Sequence, residues 1–169
     1  MRIQILALLC APLLLAAQPK QIEIKGSENW VDTGLDVQAG DLLHFEAKGS
    51  LQYSDAQQAA SPEGLARGWR DLIRALPLND VGRGALIGRI GDANASRPFL
   101  IGERRESRMP VSGRLFLGLN QSGASPSGAF QVSVEIVERA GAAQASFEGK
   151  LPDITDKEFA QIPRRVVDK

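Results

Sequence analysis

The chain contains one histidine, His44, and one cysteine, Cys10, and this scarcity bounds its chemistry before any element is assigned. A zinc site is assembled from His, Cys and carboxylate ligands, and a hydroxyl or thiol nucleophile needs a base beside it. His44 stands on the polar side of an alternating run, where a single imidazole reads as surface decoration. No Asp or Glu is marked out by its neighbours as a general acid or base. Gly82-Arg83-Gly84 lacks the Lys-Ser/Thr and the following helix of a phosphate cradle, so it reads as a turn into a strand over Ala85–Ile90. Asn94-Ala95-Ser96 matches a glycosylation acceptor, a pattern common by chance. What remains is chemistry of binding. Tyr53, Trp69 and Arg70 offer aromatic faces and a planar cation of the kind that packs on the C–H surface of a pyranose. Trp69 has a second reading, as a core residue beside Leu65 and Leu72, which share its face; Trp30, flanked by Asn29 and Val31, reads as core. The chain is not expected to be an enzyme.

The elements that must position these side chains are strands. Gln21–Lys25 alternates apolar and polar residues. Leu43, Phe45 and Ala47 point one way while Leu42, His44, Glu46 and Lys48 point the other, and Phe130–Ile136 alternates over its whole length. Leu115, Phe116 and Leu117 lie in a further apolar stretch, with Phe116 expected in the core and its truncation to alanine expected to cost about 3–5 kcal/mol. Turn signals separate the runs: Gly26-Ser27, Ala39-Gly40-Asp41, Gly91–Asn94, Ser112-Gly113 and Ser127-Gly128. Short alternating strands with glycine turns and little helix predict an all-β sandwich or jelly roll. One stretch differs: Gly64–Leu76 spaces Leu65, Trp69, Leu72, Ile73 and Leu76 by threes and fours, so a short helix or turn is expected there, ended by Pro77. The polar loop over Asp55–Pro62 precedes it, and a long excursion between strands is where sandwiches often build a site.

At its start the chain reads as an export signal, with Met1-Arg2, the apolar run Ile3–Leu15 and the small pair Ala16-Ala17. Cleavage is expected after Ala17, since the run is short of the roughly 20 residues of a spanning helix. Cys10 lies too early for lipidation, so the exported form, periplasmic or secreted, is expected to lack cysteine and not to span a membrane. Lys plus Arg and Asp plus Glu both number 20, which gives no electrostatic reason to engage nucleic acid or anionic lipid. The expected division is a signal over 1–17, one β domain over 20–138, and a linker with a charged tail over 139–169.

Several segments resemble the PA-IL-type galactophilic lectins of bacteria. They are Val37–Asp41, Ala47–Tyr53, Asn79-Asp80 through Gly84–Gly91, Gly113–Asn120, and Ser127–Val132, in order across Gly26–Ile136. The resemblance implies a small antiparallel jelly-roll β-sandwich, galactose-binding-like, and a glycan as partner. It implies a calcium ion bridging protein and sugar, held by a tyrosine carbonyl after an early strand, an Asn-Asp pair after the penultimate strand, and a further Asp-Asn or Asn-Asn pair just before the Ser-Gly of the last. Tyr53 and Asn120 match that pattern. Gln121 replaces the acid of the first pair, Ser125-Pro126 occupy the place of the second, and no carboxylate remains in Gln121–Gly128. Calcium needs six to eight oxygens with anionic charge among them, so no cofactor is expected. Asp71 and Asp80 flank the excursion where the family places sugar contacts. Tyr53, Trp69, Asp71, Asp80, Asn120 and Gln121 are therefore the candidate ligand-binding residues, with surface or capping roles as the alternative for the two acids. The tail from Ile154 to Lys169 resembles the lead-in to an LssY-type C-terminal domain. That implies partners among other domains or envelope proteins, with a purely structural role for the β domain as the competing function.

Overall fold

The computed structural model describes residues 18–68, 74–92, 96–123 and 125–141. The segment read as a signal and the tail from 142 onward lie outside them. Within the described residues eight strands follow one another: β1 (Lys20–Lys25), β2 (Trp30–Val37), β3 (Leu42–Gln52), β4 (Leu86–Ile90), β5 (Phe99–Leu100), β6 (Arg104–Arg108), β7 (Gly113–Leu119) and β8 (Ser127–Glu138). They form two four-stranded antiparallel sheets, ordered β1-β8-β3-β6 and β2-β7-β4-β5. Strands distant in sequence become neighbours, and the chain passes back and forth between the sheets; this is the jelly-roll order.

The longest ladder, β3 with β8, shows how alternation becomes a core. It runs from Leu42 opposite Glu138 to Gln52 opposite Ser127. A pleated strand sends successive side chains to opposite faces, and Leu43, Phe45, Ala47, Phe130, Val132 and Val134 are all within 5% of complete burial. The second sheet answers with Leu86, Leu115, Leu117 and Leu119. Phe45 of β3 meets Phe99 of β5 edge-on, with centroids 6.4 Å apart and planes at 64°, an aromatic contact between the two layers. Most of the outward residues are polar, and His44 among them lies between Glu46 at 3.4 Å and Glu106 at 3.3 Å. The edge strand β6 is Arg-Arg-Glu-Ser-Arg, and such a charged edge discourages pairing with another chain.

Two sequence expectations change here, and a third is visible only at its two ends. Phe116 is only half-buried and faces away from the core, because Leu115, Leu117 and Leu119 take the inward positions of β7. Trp30 is likewise half-buried. It stands opposite Gly118 on β7, and a side chain at Gly118 would strike its indole at 2.7 Å. The ring therefore lies across the outer face in the space that glycine leaves. Third, residues 64–68 and 74–76 carry no helix. Hydrogen bonds from Leu65 N to Arg83 O (2.9 Å) and from Leu86 N to Pro62 O (2.8 Å) hold the start of the excursion extended against the sandwich. Residues 69–73, with Trp69 and Asp71, lie outside the described residues.

Candidate functional site

β3 and β7 end at the same edge of the sandwich, and each delivers a polar side chain immediately past its last residue: Tyr53 after Gln52, Asn120 and Gln121 after Leu119. The fold thus brings together the three residues that match or replace the lectin pattern. All three are buried, at 2%, 0% and 9% exposure. A buried amide must satisfy both of its ends, and the partners present decide what these side chains can do.

Asn120 is a clamp on the segment before β4. Its Oδ1 accepts a hydrogen bond from Leu78 N at 2.9 Å. Its Nδ2 donates to the carbonyls of Leu78 (2.9 Å), Val81 (3.0 Å) and Gly82 (3.2 Å). The backbone adds Asn120 N to Ala85 O at 2.8 Å and Gly84 N to Asn120 O at 2.9 Å. Gln121 ties two other loops: Oε1 accepts from the Tyr53 hydroxyl at 3.1 Å and Nε2 donates to Gly26 O at 3.1 Å. The Tyr53 carbonyl accepts from Gln52 Nε2 at 2.9 Å and from Ala56 N at 3.2 Å.

Arg83 completes the cluster, and the sequence reading missed it as part of a simple turn. Its guanidinium lies 4.0 Å from the centre of the Tyr53 ring, a cation–π contact. Its two Nη atoms grip Asp55 at 2.7 and 3.2 Å, and Arg74 reaches the same carboxylate at 2.8 Å. Hydrogen bonding from Arg83 holds the Asp55 carboxyl below the usual range, with Arg74 adding to it. Gly84 permits the approach: its φ is +82°, and a side chain there would lie 3.0 Å from the Tyr53 ring. Flanking glycines were the only trace in the sequence; the contact itself joins residues 30 apart.

This donor set does not fit a calcium ion. The three family-type oxygens, Tyr53 O, Asn120 Oδ1 and Gln121 Oε1, already accept protein hydrogen bonds. The one carboxylate in the cluster, Asp55, is shared by two guanidinium groups, whose charge would repel a divalent ion. Among the described residues no group of three His, Cys, Asp or Glu side chains is placed to hold a metal.

Burial pushes the Tyr53 phenol up to about 12. It therefore remains a donor to Gln121 at neutral pH. Because the folded value exceeds the ordinary 10, the contribution of this group to stability is intact below pH 10 and is lost as pH rises toward 12. Tyr53 is the only tyrosine, so tyrosinate absorbance reads it alone. The expected midpoint is near 12 in the folded protein and falls to the ordinary value in denaturant; an unshifted folded midpoint would contradict the buried bond.

Outside the clamp, Asn79 and Asp80 are exposed on the segment that Asn120 holds. A shallow depression of about 290 Å³ lies on the preceding loop, lined by Ala56, Gln57, Gln58, Leu65 and Ala66. Another, of about 550 Å³, lies away from this edge beside Glu46, Lys48, Glu103 and Arg104. Of the six sequence-derived candidates, Tyr53, Asn120 and Gln121 converge in the interior of the edge. Asp80 stands on its rim, and Trp69 and Asp71 are outside the described residues.

No family model matches the chain, and no curated protein matches it. Among solved structures it is similar to one described as the EclA N-terminal domain, a PllA-like lectin, at 17% sequence identity and a TM-score of 0.51. The match covers 71% of this chain and 96% of that one. At that identity the likeness bears on architecture alone: the domain has a lectin-like β-sandwich fold.

Proposed function

We infer that the chain is an exported, non-enzymatic binding module that recognises a glycan directly, without a bridging calcium ion. The observation that carries this reading is the internal engagement of Tyr53 O, Asn120 Oδ1 and Gln121 Oε1. A metal at this edge would have to compete with those bonds and approach the guanidinium groups paired with Asp55. The exposed rim offers neutral amide and carboxylate groups instead, Gln57, Gln58, Asn79 and Asp80, the groups that hydrogen-bond sugar hydroxyls. The same saturation of the interior supports a second reading, a structural or interaction domain of a larger envelope protein, since a clamp of this kind needs no ligand to hold the loops.

A glycan array probed with and without a chelator separates the possibilities. The expected result is the same set of bound glycans at the same intensity in both, together with a melting temperature that calcium does not raise. Ligands that bind only the folded state stabilise it by mass action, so a calcium-dependent rise, or binding lost on chelation, overturns the calcium-free reading. An array without signal favours the structural domain.

A further inference from the structure

On the outer face of the second sheet, three residues from different strands form a stack. Arg89 of β4 stands directly opposite Phe116 of β7, which stands opposite Asp32 of β2. Opposed residues project from the same face. The Arg89 guanidinium lies 4.4 Å from the Trp30 ring centre and 5.4 Å from that of Phe116. Its Nε is buried without an acceptor. Among the described residues Arg89 has no hydrogen bond and no ion pair.

That isolation is unusual in this molecule. Arg74 and Arg83 pair with Asp55, and Arg114 with Asp36 at 2.8 Å and Asp32 at 3.7 Å. Of the described arginines that are buried or half-buried, Arg89 alone lacks a counter-ion. Asp32 does not supply one. It accepts from Gly34 N at 2.8 Å and sits two strands away, about 10 Å at ordinary strand spacing. Stacking on aromatic rings fixes the plane of a guanidinium and leaves its in-plane N–H groups as a fork, the geometry that matches a carboxylate. Half-buried Phe116 and Trp30 add apolar surface beside that fork.

We propose that Trp30, Arg89 and Phe116 form a binding site for an acidic sugar, with the carboxylate of a uronic-acid residue on the Arg89 fork and a C–H face of its ring against Phe116. The proposal rests on the reading of the domain as a glycan-binding module and names a ligand class and a place that the sandwich edge does not.

Calorimetric titration of the full chain in chelator, with a uronic-acid trisaccharide and its neutral counterpart, tests it. The expected result is tighter binding of the acidic sugar, weakened at least about tenfold in R89Q, as follows from losing a hydrogen bond to a charged group. Weakening in R89K should be smaller, because the charge remains but the fork is lost. F116A, which leaves every charge in place, should weaken the acidic sugar as well. Cooperative thermal unfolding well above the titration temperature establishes that the variants are folded. Equal affinity for both sugars, or R89Q binding like the parent, overturns the proposal while leaving the module reading intact. Failure of every glycan, neutral and acidic, overturns both.

Discussion

Asn120→Ala is expected to destabilise the domain by about 2–4 kcal/mol and to loosen the segment before β4 ahead of the rest. The substitution leaves Leu78 N and the carbonyls of Leu78, Val81 and Gly82 without their side-chain partner. A buried polar group stripped of its partner costs about 1–3 kcal/mol, reduced here where water can enter beside the exposed Asn79 and Asp80. Urea denaturation gives the magnitude, and amide exchange over Leu78–Gly84 gives the location. Asn120→Asp is the sharper variant. It keeps an oxygen for Leu78 N but replaces a donor facing three carbonyls with an acceptor. The new carboxyl is held protonated in the folded state, so its folded pKa is raised. Its stability deficit is then least at acidic pH and grows as pH rises through that value. Equal loss at acidic and neutral pH would show that the clamp does not depend on the Nδ2 donor.

Phe45→Ala should cost about 3–5 kcal/mol, the range for emptying a buried aromatic site, whereas Phe116→Ala should cost less than about 1.5. Phe45 is completely buried and contacts Phe99 across the sandwich, so its removal opens a cavity between layers that cannot close without shifting strands. Phe116 is half-exposed on the outer face, against Arg89. Water fills its place, and only a partial transfer term and a cation–π contact are lost. The two phenylalanines have the same chemistry, and the difference in melting temperature isolates burial. Comparable losses at both positions would mean that the outer face of the β2-β7-β4-β5 sheet is covered by another part of the chain.

The unevenness of what could be read in advance has a local cause. Over His44–Lys48 of β3 and Gln131–Glu135 of β8 every second residue is polar, so a pleat can bury only one set; Leu43, Phe45, Val132 and Val134 were identifiable as core from order alone. Around Phe116 three consecutive residues are apolar, and period two cannot say which face turns inward. Trp30 posed the same problem in another form, since its place depends on Gly118, 88 residues later and directly opposite. The pattern Tyr53, Asn120, Gln121 was visible as a set, as was the missing carboxylate beside it. That these residues spend their oxygens on Leu78 N, the Tyr53 hydroxyl and neighbouring loops was not.

By itself, then, the sequence determined the class of fold, the single histidine and single cysteine on which any catalysis could draw, and the lack of an acid in the Gln121–Gly128 loop. Composition and alternation are properties of residues taken singly or two apart, and those conclusions need nothing more. Only the tertiary structure decided that Asn120 and Gln121 are interior clamps, that Arg83 lies on Tyr53, and that Arg89 stands on aromatic rings without a counter-ion. Each of these depends on distances between residues from different strands and loops. Hydrogen bonds and charge contacts act over a few ångströms, and in a jelly roll the groups that come that close are set by strand order rather than by position along the chain.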